Sequence, residues 1–333
     1  MDALMSFALA FLQASVTSVV AAGVLLAVLA GVRRRWPGVA SQRLVWLLAM
    51  AAAAGSFMLA LWPAPATLRV LPSIEVSRPA VVDETADVAF AGADEGGLAL
   101  EHTPAPRWLL GAAAVWLLCY GGGLALAVVR LRRGQVALKG LVTSALPLDA
   151  RALALHPAFG NGAGKTPAVL ESAAPISPML AGLVQPVLLL PRHLRTFDPH
   201  QQRLIVAHEL AHWQRRDHLW LHASLLLQTV FWFNPALKAL AGGLSHAQEL
   251  GCDRHVLAHR PVAARRDYAA ALVAQLKVQQ GANLGLAAPF GGSGAAALGE
   301  RIRQLRLADL GGSTRLAGAG KAALGACCAA VVG

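Results

Sequence analysis

Asp198-Pro-His-Gln-Gln-Arg-Leu-Ile-Val-Ala-His208-Glu-Leu-Ala-His212-Trp213 is the stretch on which the reading of this chain turns. Asp198 is an N-cap residue type, Pro199 suits the first helical position, and Leu204, Ile205 and Ala211 face a core, so the stretch predicts a helix. On that helix His208 and His212 stand four residues apart on one face, where two imidazoles grip a single zinc ion. Glu209, beside the first histidine, is then placed to activate water at the metal.

A hydrolytic zinc site needs a third protein ligand and an open fourth position. The candidate is Glu249 in Gln248-Glu-Leu-Gly-Cys-Asp253-Arg-His255. Asp253 follows Glu249 by one helical turn and is the carboxylate expected behind the outer ring nitrogen of a ligand histidine. His218 sits where the longer zinc motif has its third histidine, but Arg215 occupies that motif's glycine position, which leaves His218 a minor alternative. Cys252, between the two carboxylates, is either a small core residue or a thiol near the metal.

The setting of this motif is a membrane. The chain is 56% apolar and only 14% charged, which excludes an ordinary soluble domain. Apolar runs long enough to cross a bilayer occupy 4–32, 44–62 and 108–129. The first is followed by Arg33, Arg34 and Arg35, the third by Arg130, Arg132, Arg133 and Lys139. A cleaved signal peptide is disfavoured for the first run by its length and by Asp2 in place of a basic start. The positive-inside rule puts Arg33 to Arg35 and Arg43 in the cytoplasm. Segment 63–107 is then an external loop, consistent with its seven acidic residues against three basic ones.

Residues 1–62 thus read as two spans with a basic turn, 108–129 as a third span, and 130–316 as a cytoplasmic domain holding the metal motif. Residues 317–333 read as the start of a last span. A further apolar stretch, 219–237, would separate Glu249 from the histidines if it crossed the membrane, so it is expected to be re-entrant or interfacial, with Phe231-Trp-Phe-Asn-Pro235 at the interface. The fold class is a mainly α membrane protein with a cytoplasmic α+β zincin-like metalloprotease domain and a small sheet.

Within that domain, 168–172 and 185–191 read as short strands, with 177–182 as a turn region between them. Val187, Leu188, Leu189 and Leu190, bounded by Pro186 and Pro191, are the candidate edge strand for a bound substrate. Gly160-Asn-Gly-Ala-Gly-Lys-Thr166 fails as a phosphate loop because position 159 is Phe. A helix over 263–280 carries Tyr268, whose hydroxyl is either a stabiliser of the reaction's oxyanion or a cap on a core face. Gly- and Ala-rich 281–299 reads as a linker, where self-cleavage would be sought. The net charge of +11 favours anionic lipid headgroups, no nucleic-acid module is recognisable, and the four cysteines form no disulfide framework.

Together, His208-Glu-Leu-Ala-His-Trp-Gln-Arg-Arg-Asp217, Phe231-Trp-Phe-Asn-Pro235, Glu249-Leu-Gly-Cys-Asp253 and Ile176-Ser-Pro-Met-Leu-Ala-Gly-Leu-Val-Gln-Pro186 resemble the BlaR/MecR-type antirepressor membrane metallopeptidases. The resemblance implies a gluzincin-like cytoplasmic domain with zinc on His208, His212 and Glu249 and with Glu209 as base. It also implies proteolysis of a cytoplasmic repressor or of the chain itself, switched on by an external signal; a homodimer is a separate expectation for the assembly, not one that the resemblance carries. A recognisable penicillin-binding sensor domain is missing from the sequence, so β-lactam sensing is not expected of it. A constitutive quality-control protease and a non-enzymatic receptor with structural zinc are the competing readings.

Overall fold

The computed structural model describes residues 2–62, 106–159, 166–258, 260–261, 263–281 and 295–306. Residues 63–105 of the external loop, 160–165 of the glycine-rich segment, most of the 281–299 linker and the 317–333 tail therefore lie outside the described residues. Helix α1 (Asp2–Arg35) is joined through the single turn α2 (Pro37–Ala40) to α3 (Arg43–Leu61), and α4 spans Arg107–Thr143. These three long helices are apolar and long enough to cross a membrane. Helix α4 runs well past the expected end at residue 129. The residues there are helix-compatible, and the first proline comes only at Pro147.

Four short strands form one mixed sheet in the order β1 (Leu146–Pro147), β2 (Ala168–Ser172), β4 (Val187–Pro191), β3 (Met179–Ala181). Strand β4 pairs parallel with β2 and antiparallel with β3, so Val187 to Leu190 are an interior strand and not the expected edge. Leu188, Leu189 and Leu190 are buried, as an uninterrupted apolar run demands when both faces are covered. Pro191 closes the strand, so the lost N–H falls at its end and costs no interior rung. The segment expected to be only a turn contains β3, and the reversal itself falls at Gly182, whose φ of +99° suits glycine.

The helix α5 (Ala150–Leu155), capped by Asp149, and the sheet lie beside α6 (Pro199–Gln214). Ile205 and Val206 of α6 close over Val169, Leu188 and Leu190. Three more helices complete this part: α7 (Asp217–Val230), α8 (Pro235–Leu257) and α9 (Ala263–Gly281). The linker region also holds the beginning of a helix, α10 (Ala295–Arg306), which packs Leu298 and Leu305 against Leu204, Val256 and Leu272.

The 219–237 stretch is not one helix. Helix α7 has 14 residues, about 21 Å at 1.5 Å per residue, too short for a 30 Å hydrocarbon core. The chain turns at 231–234 and runs back as α8. Asn234 makes that reversal. Its Oδ1 caps Leu237 N at 3.1 Å, while its Nδ2 donates to Ser18 O at 3.1 Å and Ser18 Oγ at 3.2 Å, midway along α1. Phe231 stacks edge-on against Phe57 at 5.2 Å, and Tyr120 of α4 donates its hydroxyl to Val230 O at 3.1 Å. The tip of the α7–α8 hairpin thus sits among the three long helices, and α8 returns Glu249 to the level of α6.

Candidate metal centre

Helix α6 begins as its sequence dictates, with Asp198 accepting from His200 N at 2.7 Å and Pro199 in the first turn. His208 and His212 then project from one face, with ring centroids 4.9 Å apart and planes at 88°. Across from them, Glu249 of α8 places Oε2 3.3 Å from His208 Nε2 and Oε1 3.4 Å from His212 Nε2. Three donor atoms from three side chains, all within 4.8 Å of one another, converge on one point. Ligands at zinc's usual bond lengths in a tetrahedron are separated by about 3.3 Å, so this donor set fits one such ion. Both carboxylate oxygens face imidazole nitrogens, an arrangement that holds only with a proton or a cation between them.

The outer nitrogen of each ring is also committed. His212 Nδ1 lies 3.1 Å from Asp217 Oδ2. His208 Nδ1 lies 2.7 Å from the Tyr268 hydroxyl and 3.3 Å from Asp253 Oδ1, while Tyr268 donates to that same Asp253 oxygen at 2.6 Å. Carboxylates in this position fix the tautomer and make the inward nitrogen a better ligand. Each carboxylate is in turn held by arginine. Arg301 donates through Nε to Asp253 Oδ2 at 2.8 Å and through Nη2 to Oδ1 at 2.6 Å, and its Nη1 lies 2.8 Å from Glu249 Oε2. Asp217 accepts from Arg43 Nη1 at 2.6 Å and from Arg215 Nε at 3.1 Å.

The charges follow from these contacts. Burial disfavours the ionised form of Asp217, but His212 and Arg215 outweigh it and hold the carboxyl at about 2. Burial likewise opposes ionisation of Asp253, and Arg301 with His208 brings it to about 2. Glu249 is pulled well below the usual carboxylate range by the two histidines and Arg301, against its burial. Glu209 moves the other way. Burial raises its carboxyl above the usual value, with the two histidines opposing. That direction suits a group that must take up and release a proton.

Of the remaining candidates, Tyr268 is fully buried on the Nδ1 side of His208, behind the ring. On that side the hydroxyl holds His208 and Asp253 together. Cys252 is buried in the core with its thiol 3.3 Å from His212 Nδ1 and 3.4 Å from Asp217 Oδ2, again behind the ring. Burial pushes that thiol up to about 11, and with His212 and Asp217 it forms a second group of donor atoms within 4.8 Å of one another. Among the described residues, His218 is not one of the converging donors, and its buried Nδ1 has no hydrogen-bond partner there.

A family model of the BlaR1 peptidase M56 matches residues 9–305, nearly the whole described chain. The chain belongs to this peptidase family. Among individual members, it is 33% identical over 91 residues to the regulatory protein BlaR1 of Bacillus licheniformis, covering 27% of this chain and 15% of that one. It is 33% identical over 82 residues to the methicillin resistance mecR1 protein of Staphylococcus aureus, covering 24% of this chain and 14% of that one. The aligned stretches are thus about a seventh of those relatives' lengths.

For this M56 member, three contributors to the site carry no sequence signal of their own. Asp217 follows His212 by five residues, a spacing that a continuous helix would send to another face. It returns to the ring because α6 ends and Arg216 adopts a left-handed φ of 55°. Arg43 and Arg301 come from opposite ends of the chain, and only the fold brings them near.

Proposed function

We propose that this chain is an integral-membrane zinc metalloendopeptidase whose active site lies at the cytoplasmic face of the bacterial inner membrane. The convergence of His208, His212 and Glu249, with Glu209 between the two histidines, carries this reading. His208, His212 and Glu249 would hold a divalent ion, which would supply the Lewis acidity that polarises a peptide carbonyl and makes water nucleophilic. Glu209 accepts the proton from the attacking water and returns it to the leaving amine, a role to which its raised pKa is matched. Tyr268, Asp253 and Asp217 keep the imidazoles in register, and Arg301 keeps Glu249 and Asp253 ionised.

Orientation is supported by charge. Arg43 sits at the end of α3 near Arg33 to Arg35 and reaches Asp217 directly, so the metal centre lies at the arginine-rich end of these helices, the end expected inside. The α7–α8 hairpin then enters the membrane from that side and leaves by it, packed under the active site. With β4 interior, strand β3 (Met179–Ala181) next to α6 is the edge on which a substrate backbone would align. The basic extension of α4 with Arg130, Arg132, Arg133 and Lys139 lies against anionic headgroups. The regulatory and resistance titles of the relatives support signal-activated cleavage of a repressor or of the chain itself.

The test is cleavage by the purified full chain of candidate cytoplasmic repressors and of itself, read by mass spectrometry, with wild type beside Glu209→Gln. Discrete products with wild type and none with the variant are expected. Equal cleavage by both would remove Glu209, and with it the mechanism.

A further inference from the structure

The corner between α1 and α3 holds both metal-bearing helices. Arg43, the first residue of α3, puts Nη1 2.6 Å from Asp217 Oδ1 and 2.6 Å from Arg215 O. The other Asp217 oxygen lies 3.1 Å from His212 Nδ1. Two residues earlier, Ser41 accepts from Arg254 of α8, at 2.6 Å on Oγ and 3.0 Å on the backbone oxygen. One short corner at the foot of the membrane helices therefore grips the helix of His212 and the helix of Glu249.

The Arg43 contact is not a solvated surface pair, because the Asp217 side chain is only 4% exposed. It also falls where the backbone is costly. Arg216 is in the left-handed region that non-glycine residues disfavour, and the Arg43 bond to the adjoining Arg215 carbonyl fastens that bend. Arg215 reaches Asp217 as well, but on Oδ2, the oxygen that also faces His212. Arg43 alone among the described residues holds Oδ1, and so fixes how the carboxylate presents itself to the ring.

We propose that Arg43 is a positioning residue of the metal centre: through Asp217 it sets the orientation of His212, making the foot of α3 part of the site. The inference rests on the metallopeptidase reading and names the link between the membrane helices and the metal.

The experiment measures zinc affinity by chelator competition and the visible absorption of the cobalt(II) form, on full-length chain in detergent. Wild type, Arg43→Gln, Arg43→Lys and Arg34→Gln are compared. Loss of a ligand's own outer partner typically weakens metal binding by about 10–100-fold, and Arg43→Gln, which acts one step further out through Asp217, is expected at the low end, about tenfold, with a changed cobalt spectrum. Arg43→Lys, which keeps the charge but not the planar fork, is expected between Gln and wild type. Arg34→Gln removes an exposed positive charge from the same end of the helices, leaves Asp217 and its partners in place, and is expected to bind zinc as wild type does.

Wild-type affinity and an unchanged cobalt spectrum in Arg43→Gln overturn the proposal, as does an equal loss in Arg34→Gln. If Arg43→Gln does not fold, Arg43→Lys decides alone, and wild-type affinity in it counts against the proposal. A wild type that binds no zinc ends the metallopeptidase reading itself and this inference with it. Because the comparison needs no peptide cleavage, failure of Arg43 alone is distinct from that result.

Discussion

Tyr268 donates its hydroxyl proton to Asp253 at 2.6 Å while standing 2.7 Å from His208 Nδ1. With His208 Nε2 facing the metal position, Nδ1 carries the ring proton and donates to the tyrosine oxygen. The hydroxyl is thus one member of a relay from His208 to Asp253, buried and closed to substrate. Tyr268→Phe is expected to lower zinc affinity about tenfold, the mild end of losses of this type. Its turnover with zinc in excess should stay within about tenfold of wild type, because removing a true oxyanion donor costs about 10²–10³. A competition titration and kcat at saturating zinc check both halves.

How much of this was legible in the sequence follows from how far each residue's partner lies along the chain. The α6 helix, its Asp198 cap and its paired histidines are local features, readable from one window. Glu249 and Asp253 were legible as a second helical pair with complementary chemistry, although the reversal that returns them depends on Asn234 meeting Ser18 across the bundle. Asp217 was hidden by the left-handed break at Arg216. Arg43 and Arg301 were hidden by distance. Val187 to Leu190 misled because the flanking prolines suggest an edge, whereas the unbroken apolar run between them marked an interior strand. Met179 to Ala181 misled because a three-residue strand beside Ser, Pro and Gly looks like a turn.

Arg301 is the sole arginine bonded to Asp253 among the described residues, and both side chains are almost fully buried. Arg301→Ala leaves an unpaired buried carboxylate and is expected to destabilise the folded chain by about 3–5 kcal/mol. The sign with pH follows from Asp253. Its folded pKa, about 2, lies below the ordinary 3.8, so its stabilising contribution is present above pH 3.8 and fades as pH falls toward 2. Without Arg301 that carboxyl rises, and the acid loss of stability moves to higher pH. Denaturant titrations of both proteins between pH 3 and pH 7 measure the displacement.

Gly123 of α4 lets the hairpin tip dock, since a Cβ there would lie inside the Trp232 indole. Trp232 is further fixed by donating Nε1 to Tyr120 O at 3.3 Å. Gly123→Ala is expected to cost about 1–3 kcal/mol through overpacking. Trp232→Ala added to it should recover part of that loss, which a double-mutant cycle of thermal stability detects as coupling. Additive effects would mean that the tip does not pack on α4.

The zinc content of the purified wild type and Glu249→Ala proteins, by elemental analysis per chain, tests the central claim most directly. One zinc per wild-type chain and a loss of it in Glu249→Ala are expected, with Glu209→Gln keeping its metal. Full zinc occupancy in Glu249→Ala would contradict the ligand set, and with it the assignment of this site as a metallopeptidase centre.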